Sequence, residues 1–451
     1  MSIESKNPFN NETLKTFEED SEQQIKEKIS RSQKAYKFWK EENFTHKKEL
    51  MLKTAVLLRD RKEKYAQLMT SEMGKAKKEA ISEIEKCALA CEYYANNAED
   101  FLADQALEVP NGQAYVAHDP IGIVLAVMPW NFPFWQVFRF AAPNLMAGNV
   151  GLLKHASNVP QCALAIQEVF EDAGFPKGCF QTLMISSSKV NMVLDDDRVK
   201  AATLTGSELA GSKVAERAGK NLKKTVLELG GSDPFIVLKD ADIENAAKTG
   251  AKARMINNGQ SCIAAKRFIL EESIADKFLK IFQEELEKLK IGNPEDEDID
   301  YGPMAREDLA KELEEQVQKS VEKGAKILIG GKRDKAFFEP TILTNVKAGM
   351  PAYEEELFGP VAVILIAKDE NDAVKLANDS RFGLGGSLWT KDIEKAKKLV
   401  RKIDSGAVYI NKLMASHPAV PFGGVKMSGY GRELSEAGIK EFINQKTIWI
   451  D

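Results

Sequence analysis

Between residues 21 and 101 apolar positions recur every three or four residues among many Lys and Glu, the period of amphipathic helices, and no strand-like run interrupts them. The pattern changes at 121–127, where Ile-Gly-Ile-Val-Leu-Ala-Val forms a continuous apolar run stopped by Pro129. That run predicts a buried strand. Strand-like segments at 150–154, 180–185 and 200–204 then alternate with helix-like segments at 161–173, 187–194 and from Ser207 onward. Such alternation predicts an α/β fold, a parallel sheet covered by helices on both faces. A strand at 225–229 runs into Gly230, Gly231 and Pro234, a predicted boundary. A second alternating unit follows, with strands at 234–238, 266–270, 361–367 and 407–411 and helices at 243–256, 273–290 and 305–323. The tail, 446–451, reads as an apolar terminal strand with no partner left in the chain, so it is expected to pair with another subunit.

At 451 residues the chain exceeds one ordinary core, which predicts two or three domains. Apolar residues at 43% and charged residues at 29% match a globular protein, and a net charge of −5 lacks the basic footprint of a nucleic-acid binder. An acidic substrate would therefore need a local cation. The longest apolar run, 121–128, is too short to span a bilayer, and no apolar stretch follows the first residues, so neither an anchor nor a signal segment is expected. Five scattered cysteines, an odd number, predict a reducing, cytoplasmic setting.

One cysteine differs from the rest. Cys87, Cys91, Cys162 and Cys179 lie in apolar or helical contexts that suit small inert core residues, whereas Cys262 ends the polar, glycine-broken run Asn257-Asn258-Gly259-Gln260-Ser261-Cys262. An unperturbed thiol is only about one-tenth thiolate at pH 7.5, so a nucleophilic Cys262 needs help in deprotonation. Glu228 stands at the end of an apolar strand, where a carboxylate is costly unless paired, protonated or useful; an ion pair with Lys223 or Lys224 is the alternative to a general base. In Pro129-Trp130-Asn131-Phe132-Pro133 two prolines fix the backbone around Asn131, either as a rigid aromatic turn or to aim an amide at a developing oxyanion. Thr205-Gly206-Ser207, at a strand-to-helix switch, lets a phosphate approach a helix N-terminus, although it is not the G-x-G-x-x-G fingerprint. Lys154, at a strand end, could meet a ribose or phosphate or simply face solvent.

In order along the chain, PWNFP (129–133), GNVGLLKHAS (148–157), TGS (205–207), LELGGSDP (227–234), NNGQSC (257–262), EELFGP (355–360) and PFGGVKMSGYGRE (421–433) resemble the aldehyde dehydrogenase superfamily from about residue 7 to the end. The resemblance implies a Rossmann-like cofactor domain (1–101 and 121–230), an α/β catalytic domain (231–440) and a small β oligomerisation arm (102–120 and 441–451), with a homo-oligomer, dimer or tetramer. It implies Cys262 as nucleophile, Asn131 and the Cys262 backbone N–H as oxyanion hole, and Glu228 as the base that activates water to hydrolyse a thioester. Relatives that pass the acyl group to coenzyme A generally lack this glutamate. Trp130, Lys154, Ser157, Gly206, Ser207, Glu356 and Phe358 would bind the cofactor, with Glu356 on the nicotinamide ribose.

Arg139, in an aromatic segment that carries no acid, and Ser416 resemble the positions at which succinate-semialdehyde dehydrogenases grip the distal carboxylate of a small aldehyde. A second arginine common in such enzymes is Ile256 here, which leaves glutarate semialdehyde as a minor substrate; a broader aldehyde dehydrogenase, with Arg139 tied up by an internal acid, is the alternative. A noncatalytic structural protein on the same fold is a further alternative, although it would make no demand on Cys262, Glu228 and Asn131 together. NAD-dedicated members often carry an acid where Ser157 stands, so NADP is expected over NAD. No second cysteine adjoins Cys262, since Ile263 and Ala264 follow it, so a local disulfide switch is not expected.

Overall fold

The helical period upstream of residue 101 becomes four helices, Glu22–Trp39, Phe44–Asp60, Lys62–Met73 and Lys77–Phe101, in a computed structural model that describes residues 2–451. Ser21 starts the first of them through a reciprocal capping box: its hydroxyl accepts from the Gln24 N–H, while the Gln24 side chain accepts from the Ser21 N–H. A hairpin, Ser2–Lys6 with Thr13–Glu18, precedes these helices and was not expected from sequence. Only Ile3 and Ser5 of its first strand are buried, so the chain there offers little apolar signal.

A six-stranded sheet runs in the order Gly429–Tyr430, Lys224–Glu228, Val199–Thr205, Ile123–Met128, Val150–His155, Phe180–Thr182, and its last five strands are parallel. From Ile123–Met128 the chain builds outward on one side and then returns to the other with Val199–Thr205. Strand order therefore reverses between these two strands, and the crevice beyond their C-terminal ends is where open parallel sheets bind ligands. Pro129–Asn131 and Gly206–Ser207 follow those ends directly.

The second sheet has seven strands in the order Lys326–Ile329, Thr341–Thr344, Val361–Ala367, Ala265–Glu271, Asp233–Val237, Ser387–Trp389, Tyr409–Ile410, antiparallel only at its first pair. The alternation of both halves was thus legible, but the expected limit of the second unit at 440 does not follow the sheets. Gly429–Tyr430 joins the first sheet against Leu227 and Glu228, and the helix Ser435–Ile439 packs on Lys77–Phe101 and Trp135–Met146. Leu434, Ile439 and Phe442 belong to the first core, where burying a large apolar side chain stabilises by about 1.5–3 kcal/mol.

The terminal strand, Ile443–Ile450, corrects another expectation. It pairs antiparallel along its whole length with Gln113–Pro120, which pairs in turn with Gln105–Leu107. Its partner lies in its own chain, within the segments 102–120 and 441–451 that the family resemblance groups in one arm; the local pattern did not reveal this because the register joins segments far apart. Ile443–Ile450 is nevertheless an outer strand of that three-stranded sheet, and Trp449 and Ile450 are exposed.

Candidate active site

The loop that carries Cys262 is held from three sides. Asn257 and Asn258 both adopt left-handed backbone (φ 54° and 56°), and Gly259 follows at 73°, a sequence of conformations that turns the chain sharply after the helix Ile243–Met255. A Cβ on Gly259 would lie 2.4 Å from the Gly359 carbonyl carbon, so the EELFGP segment packs directly on this backbone. The Asn258 amide donates to the carbonyls of Gly74 and Pro303 (3.1 and 2.9 Å), and the Gln260 side-chain oxygen accepts from the Ala305 N–H (2.9 Å). Arg254, buried on the preceding helix, donates to the carbonyls of Gly259 and Ala265. It serves the loop rather than a substrate.

Lys266 joins the nucleophile to the cofactor side. Its Nζ donates to the carbonyls of Ser261 and Cys262 (2.9 and 2.8 Å) and pairs with Glu356 Oε1 at 3.1 Å. Glu356 also accepts from the Gly231 N–H (3.1 Å), and a Cβ at Gly230 would come within 2.4 Å of its other oxygen. The two glycines thus admit the Glu356 carboxylate against the backbone.

Asn131 is tied to the nucleophile loop by two contacts. Its amide donates to the Gln260 carbonyl (3.1 Å), and its own carbonyl accepts from the Asn257 amide (2.7 Å). One N–H of an amide NH₂ is used in this way, which leaves the second for a ligand. His155, kept neutral by burial with its pKa depressed to about 4, donates from Nε2 to the Pro133 carbonyl (2.9 Å) and fixes the other end of the turn. Glu83 accepts from the Phe134 and Trp135 N–H groups, both 2.9 Å, where the helix Trp135–Met146 begins.

A cavity of about 300 Å³ gathers Trp130, Asn131, Gly206, Ser207, Cys262, Glu356 and Phe358, seven of the residues singled out from sequence. Trp130 and Phe358 meet edge to face, with centroids 5.8 Å apart. Ser207 caps the helix Glu208–Lys220 by accepting from the Ala210 N–H (3.3 Å), and it also borders a second cleft with Lys154, Lys213, Arg217 and Lys220. Lys154 and Ser157 lie together on an adjoining cleft. A dinucleotide with an additional phosphate fits this set: an open helix N-terminus, several cations and an exposed serine at the position expected to govern the adenosine ribose.

Cys262 and Glu228 both favour their neutral forms. Burial pushes the Cys262 thiol up to about 11, against the lowering effect of the Arg139 and Lys266 charges. Glu228 is buried, its carboxyl oxygens have no hydrogen-bond partner in the protein, and burial together with the Glu433 charge holds its pKa well above the usual carboxylate range. The alternative ion pair is not formed: Lys223 donates to the Leu194 and Asp196 carbonyls, and Lys224 pairs with Glu441. The remaining cysteines are buried, with thiols driven upward by desolvation.

Arg139 meets an internal acid, the alternative to a free carboxylate contact, from outside its own acid-free segment. Its guanidinium pairs with Glu433, donates to Thr205 Oγ1 (3.2 Å) and lies over the Phe422 ring (4.7 Å to the centroid). The residue is 2% exposed and its charge is already matched. Glu433 stands in the quoted GYGRE run, but nothing in sequence links it to residue 139. Lys266 was detectable in principle as a cation in an apolar strand. Ser416 accepts from Lys86 Nζ (2.7 Å) and from Trp135 Nε1 (3.1 Å), and no signal in the helical pattern distinguished Lys86.

The two large α/β sheets, with Cys262 in a cavity at the crevice of the six-stranded one, define the class of protein. The chain belongs to the aldehyde dehydrogenase family, whose sequence profile matches residues 1–448. It is 49% identical, over the full length of both chains, to a Synechocystis protein named "Probable succinate-semialdehyde dehydrogenase [NADP(+)]". It is 48% identical, again over the full length of both, to succinate-semialdehyde dehydrogenase [NADP(+)] 1 of Mycobacterium tuberculosis. A crystal structure of succinic semialdehyde dehydrogenase from Streptococcus pyogenes in complex with NADP+ superposes with a TM-score of 0.98 at 39% identity, covering 99% of each chain. No helix among the described residues is long and apolar enough to cross a membrane.

Proposed function

We propose that this protein oxidises succinate semialdehyde to succinate with NADP. The observation that carries the reading is the convergence of Cys262, Asn131, Glu356 and Phe358 on one cavity that shares Ser207 with the basic cleft. The names of the full-length relatives support the substrate and the cofactor.

In this mechanism Cys262 gives its proton to water and the resulting thiolate adds to the aldehyde carbon. Asn131 and the Cys262 N–H hold the resulting alkoxide, a type of contact worth about 3–4 kcal/mol in the transition state. NADP, when bound by Lys154, Ser157, Ser207 and Glu356, supplies the two-electron acceptor that makes oxidation to a thioester possible. Glu228, once it has released its own proton to solvent water, takes one from a second water that attacks the thioester, and the Cys262 sulfur leaves as the carboxylic acid forms. Lys266 keeps the nucleophile loop in register with Glu356 throughout.

Ser157, exposed and beside Lys154, presents no carboxylate to repel a 2′-phosphate, which favours NADP over NAD. The free edge of the strand Ile443–Ile450 and its exposed Trp449 favour assembly into a homo-oligomer, and the five free cysteines favour a reducing cytoplasm. Because Arg139 is matched by Glu433, a broader aldehyde dehydrogenase acting on glutarate semialdehyde or uncharged aldehydes is the second reading. Initial rates with succinate semialdehyde, glutarate semialdehyde and butanal, each with NADP and NAD, test both. A kcat/KM for succinate semialdehyde no higher than for butanal would overturn the first reading.

A further inference from the structure

With Arg139 neutralised by Glu433, the cation that selects a substrate carboxylate has to be sought elsewhere. Lys86, on the helix Lys77–Phe101, is half-buried. Its Nζ lies 4.2 Å from the Trp135 ring centroid and donates to Ser416 Oγ at 2.7 Å. Trp135 Nε1 donates to the same oxygen at 3.1 Å, so the hydroxyl is held between two donors. Among the described residues no carboxylate lies within 4.0 Å of Lys86 Nζ. Glu83, one turn earlier on the helix, is turned instead to Lys75 and to the Phe134 and Trp135 N–H groups.

An ammonium carries three N–H donors, and only one is used here. A partly buried cation without a counter-ion is unfavourable unless something anionic completes it. Trp135 follows the Asn131 turn by only four residues, and the Asn131 amide donates to the Gln260 carbonyl two residues before Cys262. The cation therefore stands beside the turn that brings Asn131 to the nucleophile loop.

We infer that Lys86, steadied by Trp135 and Ser416, receives the distal carboxylate of the semialdehyde and is the specificity-determining cation of this enzyme. The inference rests on the substrate reading above. Burial, with the Arg139 charge as a second cause, depresses the Lys86 pKa to about 8. Its charge is therefore lost within an accessible pH range. The other groups acting on it do not imitate this change: Arg139 is paired with Glu433, Glu83 is paired with Lys75, and the Cys87 thiol is pushed far up by burial. Cys262 acts on every aldehyde alike and cancels in a ratio of substrates.

The test is the ratio of kcat/KM for succinate semialdehyde to that for butanal, measured with NADP on wild type, Lys86→Met and Lys86→Arg. Lys86→Met should lower the ratio at least about tenfold, the size expected for one charge-assisted hydrogen bond, and Lys86→Arg should keep it within about threefold of wild type. In wild type the ratio should fall between pH 7 and 9.5, while in Lys86→Arg it stays flat. A smaller change with Lys86→Met overturns the inference, as does a flat wild-type ratio, which needs no variant to fold. If wild type itself shows no preference for succinate semialdehyde, the substrate reading has failed. A wild-type preference that survives in Lys86→Met leaves that reading intact and removes Lys86 alone.

Discussion

Arg139 and Glu433 form a buried ion pair that joins the helix after the Asn131 turn to the segment after Tyr430, and both charges act on Glu228. Breaking such a pair leaves an uncompensated charge and costs about 3–5 kcal/mol. Arg139→Met should therefore lower the urea midpoint strongly, and Glu433→Leu in the same chain should restore much of the loss. Turnover of succinate semialdehyde and of butanal should fall together in Arg139→Met. A selective loss on succinate semialdehyde would return the carboxylate contact to Arg139.

Glu228 makes stability depend on pH in a defined direction. Its folded pKa is raised, so the folded state prefers the protonated acid: its contribution is intact below the ordinary carboxylate value of 4.5 and is lost as pH rises toward the folded pKa. Glu228→Gln, which stays neutral, should match wild type in Tm near pH 4.5 and exceed it increasingly toward pH 8. The expected slope is about 1.4 kcal/mol per pH unit inside that window. Equal melting curves at pH 8 would mean that the carboxylate is not desolvated.

The same variant separates the two halves of the reaction. Without a base to activate water, Glu228→Gln should still form NADPH in a rapid burst of about one per active site, while steady-state turnover drops about 10²–10⁴-fold. Stopped-flow absorbance at 340 nm reads both, and loss of the burst would assign Glu228 to the first half instead.

Asn131→Ala removes an amide that both faces the cavity and ties the turn to Gln260. The expected loss is about 10²–10³-fold in kcat with little change in NADP affinity by fluorescence titration. A loss confined to KM would make the residue a binding contact alone.

Ser157→Glu places a carboxylate beside Lys154 on the adjoining cleft. The ratio of kcat/KM for NADP to that for NAD should fall at least about tenfold, and equal losses with both cofactors would remove Ser157 from cofactor choice.

The local pattern of the chain determined a good deal by itself. Period 3.6 upstream of residue 101 and strand-helix alternation beyond it are properties of neighbouring residues, so a helical N-terminal region and two alternating α/β units were legible, as were Cys262 in its polar run and Glu228 at a strand end. The hairpin at Ser2–Lys6 escaped because it buries too few apolar groups to leave a pattern. Tertiary structure alone decided what each charge meets. Glu433 reaches Arg139, Lys266 reaches Glu356, Lys86 reaches Ser416, and Ile443–Ile450 finds Gln113–Pro120, all across long stretches of chain. The physical reason is that burial and charge pairing depend on distance in space, and sequence spacing carries that information only within a helix turn or a strand.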